Sequence, residues 1–183
     1  DLPNIPAVLT FQCGEEVPEA MVMITTDNCF SPIEGLPTSV QSPGDCAHDF
    51  TILRTWTFDD GCGNVSSISQ QIIVKDTIPP TAPMAPVNLT LQCTTEIPPA
   101  VPLTATDNCS PDVTVMPTEQ MSMGDCSNEL SLLRTWTFTD ECGNSATMSQ
   151  SIVVKDTIPP LAPMAPANLL LQCAQEVPPA IAL

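Results

Sequence analysis

Shifted by 80 residues, this 183-residue chain lies on itself. Aligning 1–80 with 81–160 gives 39 identities in 80 positions without a gap. A third copy opens at 161, where LAPMAPANLLLQC answers TAPMAPVNLTLQC at 81. The densest shared phrase is LRTWTFDDGCGN at 53–64 against LRTWTFTDECGN at 133–144, ten letters of twelve. Stacked structural units repeat such a phrase; a single catalytic centre does not need to. A period of 80 is too long for one solenoid turn and suits a small β-sandwich. The expected organisation is one module over 1–80, a second over 81–160, and the first strand of a third over 161–183, truncated or donated to a neighbour.

The nine cysteines follow the same period. Cys13, Cys29, Cys46 and Cys62 recur as Cys93, Cys109, Cys126 and Cys142, and Cys173 opens the third copy. Four per small unit indicates a disulfide framework and an oxidising compartment. Spacings of 16, 17 and 16, with no CxxC and a single His, argue against zinc. Four cysteines allow three pairings, and strand direction separates them. Cys29 and Cys62 end the second and penultimate strands and fall at one pole. Cys13 and Cys46 fall at the other. The expected bridges are Cys13–Cys46, Cys29–Cys62, Cys93–Cys126 and Cys109–Cys142, with Cys173 unpaired in this chain.

Composition excludes much of the helical alternative. Pro stands at 21, Gly at 7 and aromatics at 4%, and no long stretch escapes Pro or a β-rich run. Strands are predicted over 7–13, 19–29, one or two within 33–42, and a long hairpin over 50–60 and 65–76. In RTWTF, Arg54, Trp56 and Phe58 share one face and Thr55 and Thr57 the other. Trp56, Phe58, Trp136 and Phe138 are therefore expected in the core. DDGCGN supplies the Gly and Asn of a tight turn, and DTIPP closes each unit with a stiff linker. The fold class is all-β, with tandem immunoglobulin-like sandwiches of about seven strands.

TDNCS, then GDC, LRTWTFTDECGN, a QxxVV strand and KDTIPP together resemble the four-cysteine hyalin-repeat-like (HYR-like) modules. These are immunoglobulin-like units that occur in tandem in large secreted and surface proteins of bacteria, notably Bacteroidota. The resemblance spans both full units and the opening of the third. It implies extracellular stalks, adhesins or filaments rather than catalysis. Eight Met and very few Lys depart from the usual pattern.

Twenty-one acids against four bases give a net charge of -17. Such a surface repels nucleic acid and anionic membranes, and no apolar run reaches a membrane span. The acids either solvate a secreted surface or hold calcium. Asp76 at the end of the last strand, with Asp107, Asn108, Asp140 and Glu141 in the loops of the next unit, could converge at the junction as a calcium ligand set. Asp27, Asn28, Asp59 and Asp60 would face a preceding unit, and Asp156 a following one. Arg54, Lys75, Arg134 and Lys155 occupy equivalent positions and are read as partners for carboxylates within each unit. His48 has Asn128 as its counterpart and is read as a surface residue. DTI at 76–78 and 156–158 resembles a bacterial O-glycosylation signal, with Thr77 and Thr157 as acceptors; the N-glycan patterns do not recur between units. No GxSxG, HExxH or phosphate-binding glycine loop is present. The chain reads as a structural segment of an extracellular fibre, one long chain or subunits joined end to end, with an adhesin or carbohydrate-binding array as the alternative.

Overall fold

The computed structural model describes residues 4–29, 32–126 and 128–164. The first repeat forms β1 (Val8–Gln12), β2 (Met23–Thr25), β3 (Ile33–Pro43), β4 (Phe50–Asp59) and β5 (Val65–Lys75), in sheet order β1-β5-β4-β3-β2. The second forms β6 (Leu89–Leu91), a 3-10 turn (Thr94–Glu96), β7 (Leu103–Ala105), β8 (Val113–Val115), β9 (Thr118–Met123), β10 (Leu130–Thr139) and β11 (Ser145–Val154). Its main sheet runs β6-β11-β10-β9, and β7 pairs β8 as a separate ribbon. The strand that is continuous as β3 is thus divided into β8 and β9. No α-helix occurs among the described residues, so the all-β class expected from composition is what forms.

The long hairpin keeps one register in both repeats. Phe50 faces Val74 and Asp59 faces Val65; 80 residues on, Leu130 faces Val154 and Thr139 faces Ser145. The opening strand of each repeat lies parallel to the closing one, β1 on β5 and β6 on β11. A glutamine and a threonine clasp the same edge. Thr77 N–H donates to Gln12 Oε1 at 3.2 Å, and Thr157 N–H to Gln92 Oε1 at 3.0 Å.

Alternation on β4 and β10 sends Trp56, Phe58, Trp136 and Phe138 inward, each 2% exposed or less. In the second repeat, Ala105 joins Trp136 and Phe138, and Leu103, Val113 and Val115 of the β7–β8 ribbon pack on them. Ile152, Val154, Leu130 and Leu132 fill the other half. Three polar side chains share this inward face, and each has a specific partner. Trp56 Nε1 donates to Met21 O at 2.8 Å and Trp136 Nε1 to Val101 O at 3.1 Å. The Arg54 guanidinium donates to Pro18 O, and Arg134 Nη2 to Pro98 O at 2.7 Å. Gln70 and Gln150 reach Pro6 O and Val87 O. The stretches before β2 and β7 lie outside the strands, so these carbonyls take side-chain donors from the hairpin in place of ladder partners. RTWT is repeated because it supplies both the core rings and the donors that hold these crossings.

The bases only partly follow expectation. Arg134 Nε pairs with Glu119 Oε1 at 2.8 Å and Lys155 Nζ with Glu129 Oε1 at 3.5 Å. Arg54 lies opposite Ser39, where Arg134 has Glu119, so its Nε is left without a partner.

The disulfides correct the sequence reading. Cys13 bonds Cys109 and Cys46 bonds Cys142, each 96 residues apart, with Cα separations of 5.8 and 5.1 Å. This excludes Cys13–Cys46 and Cys109–Cys142. Cys29, Cys62, Cys93 and Cys126 carry exposed free thiols, so Cys29–Cys62 and Cys93–Cys126 are not formed either. The poles are as expected, but the partners are not. In the order β1-β5-β4-β3, Cys13 leaves β1 and Cys46 leaves β3, three strand spacings apart. That is about 14 Å across the sheet, twice what a disulfide spans. Each cysteine instead meets the facing pole of the next repeat. Cys173 lies outside the described residues.

Candidate functional site at the junction of the repeats

The loop TDECGN is a self-contained clamp. Asp140 Oδ1 accepts the N–H groups of Cys142 at 2.9 Å and Asn144 at 2.8 Å, and Oδ2 accepts Asn144 Nδ2 at 2.9 Å. Gly143, at φ 90°, takes the left-handed step that closes the turn. Burial works to raise the Asp140 carboxyl, but the hydrogen bonds from Asn144, Cys142 and Gly143 outweigh it and hold it below the ordinary 3.8. Asp60 repeats the arrangement with Asn64 and Cys62 and is likewise lowered, chiefly by the Asn64 side chain. Both clamps present a cysteine at the pole: Cys142, bonded to Cys46, and Cys62, free.

TDNC forms the second loop. Asp107 Oδ1 accepts Cys109 N–H at 2.9 Å and Ser110 N–H at 2.8 Å, an Asx turn that sets the cysteine against the preceding repeat. Asn108 Nδ2 reaches across to Cys13 O at 3.3 Å. The exit of the first repeat enters between these loops. Asn144 Nδ2 donates to Asp76 O at 3.1 Å, Thr81 and Thr106 exchange backbone hydrogen bonds at 2.7 and 3.2 Å, and Ala82 packs on the Trp136–Phe138 cluster. DTIPP is therefore not a free linker: Pro80 is buried and the next residue joins the second repeat's fold.

Asp76 is 5% exposed. Its Oδ1 accepts Ile78 N–H, while Oδ2 is buried with no hydrogen-bond partner, and Asp107 Oδ2 is in the same condition. A carboxylate oxygen of each, with Cys109 Sγ, forms a group within 4.8 Å. Burial raises the Asp76 carboxyl above 3.8, and the charges of Asp107, Asp140 and Asp49 add to the effect. Two close carboxylates, each with one buried oxygen that has no donor, call for a proton or a cation. The sulfur is in a disulfide and is a poor ligand, so the donors suit a hard ion such as calcium better than zinc.

Of the five residues singled out in the sequence, Asp76 and Asp107 lie together here, and the other three have separate duties. Asp76 and Asp107 hold the unpartnered oxygens. Asn108 and Asp140 are engaged in hydrogen bonds. Glu141 turns away to His48, with Oε2 3.6 Å from Nε2, so His48 acts across the junction rather than as an idle surface residue. Asp49 was missed: its Oδ1 accepts Asp76 N–H at 2.9 Å. An acid recurs there as Glu129, a repeat signal that could have pointed to it. Thr77 and Thr157 are exposed, and their hydroxyls contact Gln12 and Gln92.

Fold and junction define an all-β protein whose successive repeats are joined by paired disulfides around a buried acidic contact. Residues 81–154 match the family model of the HYR-like domain with 4 cysteines. The chain is also 31% identical over 170 residues to "Hyalin" of Lytechinus variegatus. That similarity covers 85% of this chain and 31% of the relative, so the chain spans less than a third of that protein's length. Together these similarities support a likeness to HYR-like domains, which are extracellular modules of structural or adhesive type. Among the described residues, no helix is long and apolar enough to cross a membrane.

Proposed function

We propose that the chain is a length of a stiff extracellular rod, built from modules over 1–80 and 81–160 that bear load rather than catalyse. The observation that carries this reading is the pair of disulfides that leave the first repeat and close on the second. Two covalent bridges, the Thr81–Thr106 pairing and the buried Pro80 leave little freedom to bend. An adhesive role would be served by exposed aromatic faces, whereas both Trp rings are buried. Small-angle scattering in solution tests the reading. The oxidised chain should give one elongated, well-defined shape, and reduction should broaden it. Equal flexibility in both states would remove the basis for a rod.

A calcium ion between Asp76 and Asp107 belongs to the same proposal. It rests on their two buried, unpartnered oxygens. Calorimetric unfolding checks it: chelation should lower the midpoint and calcium restore it. An unchanged midpoint would leave the pair to share a proton.

A further inference from the structure

The four free thiols are not spare. Moved by one repeat, the observed bridges fall on them. Cys13–Cys109 becomes a link from Cys93 to a cysteine of the Cys29 type, and Cys46–Cys142 becomes one from Cys126 to the Cys62 type. We propose that each repeat is stapled twice to the repeat before it and twice to the one after, and never to itself. On that rule Cys29 and Cys62 receive the Cys93 and Cys126 of another copy, end to end.

A second observation supports the same occupant. The pole bearing Cys29 and Cys62 has an open cavity of about 320 Å³ lined by Thr26, Asp27, Phe58, Asp60 and Asn64 among others. Their counterparts in the second repeat are Thr106, Asp107, Phe138, Asp140 and Asn144. Those are the residues that surround the DTIPP exit of the first repeat, through Thr81, Asp76 O and Ala82. The cavity is therefore a socket, and its plug is a DTIPP segment. This chain carries one at 156–160, exposed throughout. Asp27 already makes the Asx contact, with Oδ2 accepting Cys29 N–H at 3.3 Å.

Closure is an oxidation. For each link, two thiols lose two protons and two electrons to a disulfide oxidant, such as oxidised glutathione, which leaves as two thiols. This partner rests on the rod reading for its purpose but not for its chemistry, and the test separates the two. The full chain, with Cys173→Ser to remove the odd thiol, is incubated with oxidised glutathione. It is then resolved on a non-reducing gel and mapped by mass spectrometry. A ladder of multimers joined through Cys29–Cys93 and Cys62–Cys126 is expected. The variant Cys29→Ser/Cys62→Ser and the variant Cys93→Ser/Cys126→Ser should each stay monomeric alone and give dimers only when mixed. A persistent monomer, like-with-like links, or bridges Cys29–Cys62 and Cys93–Cys126 would overturn the proposal. If scattering then still showed one rigid shape, the rod would stand without the ladder.

Discussion

At the scale of single residues, the repeated phrase divides its labour by side chain. Trp136 fills the core and also donates to Val101 O, so two substitutions separate the roles. Trp136→Phe keeps most of the burial and leaves a carbonyl short of a donor, which should cost about 1–3 kcal/mol. Trp136→Ala should cost about 3–5 kcal/mol. Denaturant unfolding measures both, and equal losses would mean the indole N–H contributes nothing. Asp76 and Asp140 respond to pH in opposite directions. The raised Asp76 carboxyl binds its proton more tightly when folded, so its contribution is full below 3.8 and lost as pH rises through the raised value. The lowered Asp140 contributes above 3.8 and fails as pH falls through its lowered value. In chelator, Asp76→Asn should therefore raise the midpoint at neutral pH and abolish any response to calcium. A lower midpoint with the calcium response intact would place the ion elsewhere.

At the scale of elements, the strands were readable and the crossings were not. Alternation in RTWTF and the run from 65 to 76 located β4 and β5 within a residue, because a half-buried hairpin writes its period into the chain. The predicted strand 19–29 shrank to Met23–Thr25. The chain ahead of it is held instead by Arg54 on Pro18 O and Trp56 on Met21 O, 36 and 35 residues away and beyond any local pattern. The acid pair was legible because Asp recurs at fixed places, but Asp140 looked like a ligand when it is a turn clamp. Asp140→Ala removes three hydrogen bonds to one carboxylate and should destabilise by about 2–3 kcal/mol. Differential scanning calorimetry should show that loss without losing the Cys46–Cys142 bridge.

At the scale of the whole molecule, the disulfide partners decide what kind of object this is. Sequence placed the cysteines at the correct poles, yet bridges within a unit and bridges between units obey the same spacing. Only the lateral order β1-β5-β4-β3 separates them, because it puts Cys13 and Cys46 too far apart. Internal bridges would make beads on a string. Bridges across the junction make each repeat depend on its neighbour. On the chain-entropy model, a bridge closing a loop of this size contributes about 4–5 kcal/mol, and the second contributes less because the first already limits the chain. The two repeats should accordingly unfold as one transition when oxidised and as two after reduction, a difference that calorimetry resolves.

The most direct measurement is the disulfide map of the folded chain: digestion with pepsin without reduction, thiols alkylated beforehand, and cross-linked peptides sequenced by mass spectrometry. Peptides joining Cys13 to Cys109 and Cys46 to Cys142, with none joining cysteines of one repeat, are the predicted result. Peptides joining Cys13 to Cys46 or Cys109 to Cys142 would contradict the account and leave the two repeats as independent domains.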